Sequence, residues 1–88
     1  MSAISMRRYG DLCIVVDDRL GPRYRAVIYR GTKIGHVVGS RPGGRGCNWR
    51  PVVIGLPVRW HTSMQRAADN LSRLCRRIPG LRHQSGVA

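Results

Sequence analysis

Eighty-eight residues carry 15 Arg and one Lys against four Asp and no Glu, a formal net charge of +12. A chain this short holds one core and buries only about 60 to 65% of the surface its unfolded form exposes, which excludes a separate catalytic lobe. With 42% apolar and 23% charged residues it has the material for a core, unlike a disordered basic tail, and its charge calls for an anionic partner.

Cys13, Cys47 and Cys75 are an odd set with no C-x-x-C pair, so no disulfide framework or zinc spacing is expected. No apolar run reaches the length of a signal peptide or membrane span, and the expected setting is a reducing cytoplasm, bacterial or phage-infected.

Residues 1–11 are poor in apolar side chains and without period, and read as a flexible lead. Leu12–Val16 is a compact apolar run, the first expected strand, and Gly21-Pro22 marks a turn after it. Residues 24–29 alternate and are rich in β-formers. Arg30-Gly31-Thr32-Lys33 separates them from residues 34–38, the pattern of a β-hairpin. Residues 39–48 contain four Gly and one Pro, too costly for a regular element. Residues 49–54 resume an extended pattern, with Pro51 making them an edge or irregular strand, and Val58-Arg59-Trp60-His61 is either a further short strand or an extended lead.

The helix expected over 63–78 starts at Thr62 or Ser63 as N-cap, with Thr62 and Gln65 at capping-box spacing. Met64, Ala67, Ala68, Leu71, Leu74, Cys75 and Ile78 recur at steps of three and four as an apolar stripe, Asp69 can pair with Arg73, and Pro79-Gly80 stops the helix. Residues 79–88 read as a flexible tail, leaving one domain over 12–78.

The helix stripe can be buried only on one face of the sheet. The expected class is α+β, a three- to five-stranded antiparallel meander with one C-terminal helix packed on one face. A period of two assigns Leu12, Ile14, Val16, Tyr24, Ala26, Ile28, Ile34, Val38, Val52 and Ile54 to the covered side, with Trp60 closing one end. The other face would then display Arg25, Val27, Tyr29, Lys33, Val37, Trp49 and Val53, which can stack on bases while neutralising phosphates. The alternative is a solvated face with Trp49 turned inward.

Arg41, Arg45 and the glycines between them can wrap a phosphate backbone, or the segment is a plain hairpin connection; Cys47 in this loop is the thiol expected to be reactive. Along the helix, Arg66, Asn70, Arg73 and Arg77, extended by Arg76 and Arg82, either lie on an acidic partner or form an ordinary solvated side. No paired carboxylates present themselves for acid–base catalysis, and neither a metal nor a cofactor is expected.

The hairpin over 24–38, the Trp49 strand and a helix beginning Thr62-Ser63-Met64-Gln65-Arg66-Ala67-Ala68 together resemble, in layout alone, small sheet-plus-helix proteins of bacteriophages and mobile elements. The layout is similar to integrase arm-binding domains and plant ethylene-response DNA-binding domains. The resemblance implies a three-stranded sheet, backed by a helix, entering the major groove, with contact roles for Arg25, Lys33, Trp49 and Arg50. Gly35, the glycine loop and Pro51 depart from the regular sheet of those families.

The expected function is non-enzymatic nucleic-acid binding, DNA rather than RNA, through Arg25, Tyr29, Lys33, Arg41, Arg45, Trp49, Arg50, Arg66, Arg73 and Arg77. The alternative is a small phage-type interaction module or inhibitor that docks its basic surface on an acidic host protein, anchored by Trp49. An edge strand leaves self-association open.

Overall fold

The computed structural model describes residues 6–17, 19–41 and 46–78. Five antiparallel strands follow chain order across one sheet: β1 (Met6–Tyr9), β2 (Leu12–Val16), β3 (Tyr24–Tyr29), β4 (Thr32–Gly39) and β5 (Trp49–Pro51). One helix, α1 (Met64–Arg77), packs chiefly on β4 and β5 and touches β2. This is the α+β meander with a C-terminal helix on one face. No described helix is long and apolar enough to cross a membrane.

Two hairpin turns hold the first four strands in register. Gly10-Asp11 joins β1 to β2, with Gly10 at φ +63°, and Arg30-Gly31 joins β3 to β4 with both φ values positive, 49° and 82°. Positive φ at both central residues matches the right-handed twist of paired strands, and Gly supplies it without a steric penalty. Residues 6–9, expected to be part of a flexible lead, are therefore an edge strand: the tight turn folds Met6–Tyr9 back onto β2 although they lack an apolar period. The segment before the helix contributes only a bridge, His61 pairing with Trp49.

The helix begins one residue later than the Thr62 option. Ser63 is the N-cap, and its Oγ accepts from the backbone N–H of Arg66 at 3.1 Å, a bond whose loss typically costs about 1 kcal/mol. Arg76 and Arg77 in the last turn face the negative end of the helix dipole. Ala67, Ala68 and Leu71 are fully buried, Met64 and Cys75 pack at the margin, and Ile78 is exposed at the end of the stripe.

The face assignment is correct for β2 and inverted in most of β3 to β5. Directly opposed residues share a sheet face, and the register opposes Leu12 to Tyr29, Ile14 to Val27 and Val16 to Arg25. The helix-covered core is accordingly Leu12, Ile14, Val27, Ile34, Val37, Cys47 and Trp49, with Tyr29 and Val53 against it. Tyr24, Ala26, Ile28 and Val38 turn to the other face, and Ile54 is exposed. Alternation favours burying Tyr24, Ala26 and Ile28 over the set that contains Arg25, but both sets carry apolar residues and the pairing with β2 decides against it. Ile34 remains in the core because the register slips between Val27 and Ile28, making Ile34 an extra residue of β4. Gly35, at φ +151°, takes up the bend.

Trp49 occupies the centre of this arrangement. Its ring lies against Gly39, where a Cβ would stand 3.2 Å from its Cη2 and Cζ3 and from Cys47 Sγ. The glycine is what lets the indole sit flat on β4. Cys47, expected to be the reactive thiol, is buried beside it.

Candidate nucleic-acid interface

The bridge between Trp49 and His61 is made by two backbone hydrogen bonds, Trp49 N–H to His61 O at 2.8 Å and His61 N–H to Trp49 O at 2.6 Å. Antiparallel pairing at that point sets Arg50 opposite Trp60, on the face away from the helix. The two indoles therefore exchange the expected roles. Trp49 is 4% exposed and structural, whereas Trp60, expected to close the core, is 46% exposed with the Arg50 guanidinium 5.2 Å from its ring centroid.

Among the described residues no helix or strand lies across the face opposite the helix. Two cross-strand rows on it matter. Register places Arg8, Cys13, Ile28 and Lys33 in one row over β1 to β4. A second row runs Tyr24, Val38, Arg50 and on to Trp60. This face thus carries cations at both margins, with half-buried Val15 and Ile28 and buried Ala26, His36 and Val38 between them.

Near the open end of β2 the face holds a buried polar cluster. His36, 1% exposed, has Nε2 2.8 Å from Asp17 Oδ2, and Lys33 Nζ approaches the same oxygen at 3.8 Å. Burial pushes the His36 imidazole below its ordinary pKa, with the Asp17 hydrogen bond opposing only in part. His36 is therefore neutral at pH 7, donating from Nε2–H, while its Nδ1 is buried without a partner. The hydrogen bond from His36 is the main reason the Asp17 carboxyl lies below the usual carboxylate range. His36 and Asp17 of this cluster are buried, while the Lys33 side chain is 45% exposed at its rim.

The other expected contact residues do not converge on one surface. Lys33 and Arg50 lie on the open face as expected. Arg25 lies on the helix side, its guanidinium 5.3 Å from the Trp49 centroid and bonded to the carbonyls of Pro22 and Tyr24. Tyr29 is also on the helix side, with Arg30 and Arg76 at 5.3 and 5.5 Å from its ring. Arg66, Arg73 and Arg77 occupy the outer side of the helix, where Arg73 pairs with Asp69 at 2.9 Å. Arg41 is exposed and closes the base of the glycine loop by donating to Gly46 O at 2.9 Å. Arg45, Arg82 and the tail over 79–88 fall outside the described residues.

The placement of Trp49 as an exposed anchor is thus corrected by its burial, and that of Tyr29 and Arg25 on the face away from the helix by strand parity. The residue missed in the sequence is Trp60. Its exposure follows from a pairing across eleven intervening residues, which no local pattern contains. Comparison of the chain with protein-family models, with curated proteins and with solved structures finds no match in any of the three.

Proposed function

We propose that this chain is a non-enzymatic nucleic-acid-binding protein, DNA before RNA, that neutralises phosphates with its unpaired guanidinium groups and meets bases on the open sheet face. The observation that carries this reading is the fate of the acids among the described residues. Asp11, Asp17 and Asp69 are each already engaged, by Arg30, by Arg19, Lys33 and His36, and by Arg73. Among the described residues Arg7, Arg8, Arg41, Arg50, Arg59, Arg66 and Arg77 have no carboxylate within ion-pair distance, so the excess charge stands at the surface uncompensated. A field of this sign attracts polyanions, and counterion release makes the attraction strongly dependent on salt.

Fluorescence anisotropy with labelled oligonucleotides over a salt series tests it. Contact with about six phosphates gives a slope near −5 in log K against log[salt] on duplex, or about −4 on a single strand. Absence of binding to single strand, duplex and RNA alike at about 50 mM salt refutes the reading and leaves an acidic protein as the partner.

A further inference from the structure

Resting on that reading, the row that ends at Trp60 says which nucleic acid the open face takes. We infer that it is a platform for single-stranded DNA, with Trp60 stacking on a base and Arg50, Lys33 and Arg8 holding the phosphates on either side.

Three observations converge. First, Trp60 keeps nearly half its surface exposed, 46%, and is held by the His61 bridge and by Arg50 at 5.2 Å from its ring. An indole held in place this way offers a π-surface with little orientational freedom to lose on stacking. Second, Tyr24 lies in the same cross-strand row, three strand spacings or about 14 Å from Trp60, with Arg50 between them. Aromatic side chains alternating with cations are what unpaired bases on a phosphate backbone require; in a duplex the base faces are already stacked on one another and unavailable. Third, between the two cationic margins Val15 and Ile28 are aliphatic and half-buried, beside the buried Ala26. They offer apolar contact to the methyl group of thymine, which uracil lacks. Asp17, the acid on this face among the described residues, is 10% exposed and is covered by Lys33 and His36, so it does not repel the strand.

The test uses the full chain with oligo(dT), oligo(U) and a random duplex of equal length. Binding of oligo(dT) quenches tryptophan emission, and in Trp60→Phe protein the remaining Trp49 emission does not respond. Trp60→Ala weakens oligo(dT) binding about 5- to 100-fold while duplex binding changes less than about twofold. Arg50→Lys keeps the charge but loses the planar group against the ring, and gives a smaller loss in the same direction. An unchanged urea midpoint in Trp60→Ala shows that the loss is not unfolding. The inference is overturned if the duplex binds as tightly as oligo(dT), if Trp60→Ala weakens both equally or neither, or if oligo(U) binds as well as oligo(dT). Failure of every nucleic acid to bind instead refutes the proposed function itself.

Discussion

The exchange of roles between the two indoles makes Trp49→Ala the most informative single substitution for the fold. Its side chain is 4% exposed, wedged between Gly39, Cys47 and the Arg25 guanidinium. A buried Trp removes roughly 150 to 250 Å² from water, worth about 4 to 6 kcal/mol at 25 cal/mol per Å², and measured Trp→Ala costs in cores run about 3 to 5 kcal/mol. A domain of this length has a total stability of roughly 4 to 13 kcal/mol at 0.05 to 0.15 kcal/mol per residue. Trp49→Ala therefore consumes between a quarter and all of it and lowers Tm by about 12 to 40 °C. Urea and thermal unfolding followed by far-ultraviolet circular dichroism measure both, with Trp60→Ala as the control, expected within about 1 kcal/mol of the parent. A Trp49→Ala protein that stays within about 1 kcal/mol of the parent, or is more stable than Trp60→Ala, refutes the assignment of faces.

Two further outcomes follow from the same packing. Gly39→Ala places a methyl 3.2 Å from the Trp49 ring and from Cys47 Sγ, an overpacked contact, and should cost about 1 to 3 kcal/mol in urea denaturation, whereas Gly39→Ala in a Trp49→Phe background should cost less because the smaller ring gives way. Stability should also fall with acid in two stages. Burial holds His36 below its ordinary 6.5, so the unfolded chain takes up the proton first and stability declines as pH drops below about 6.5. Asp17 lies below its ordinary 3.8, so its contribution is present above that value and is lost as pH falls beneath it. Urea midpoints measured from pH 8 to pH 3 check the sign, and His36→Gln should flatten the upper stage; a midpoint that rises between pH 7 and pH 5 contradicts the neutral, buried imidazole.

What the chain states locally, it states well. The apolar run of Leu12–Val16, the hairpin turn at Arg30-Gly31, the glycine-rich break before Trp49 and the helical stripe from Met64 to Cys75 each follow from short-range chemistry, and together they entail a sheet backed by a C-terminal helix. The tertiary structure decided which side of each strand faces that helix. In β3 local alternation favours burying Tyr24, Ala26 and Ile28 over the face that holds Arg25, Val27 and Tyr29, yet parity came from the register with β2 and from the bulge at Ile34. The same applies to the tryptophans. Their types and positions are plain in the chain, but only the bridge between residues 49 and 61 fixes which indole is buried and which is exposed, because side-chain direction in an extended segment depends on its partner strand. The strand at Met6–Tyr9 has the same cause: with no apolar period of its own, it exists because the Gly10-Asp11 turn delivers it to an edge of β2 already prepared to pair.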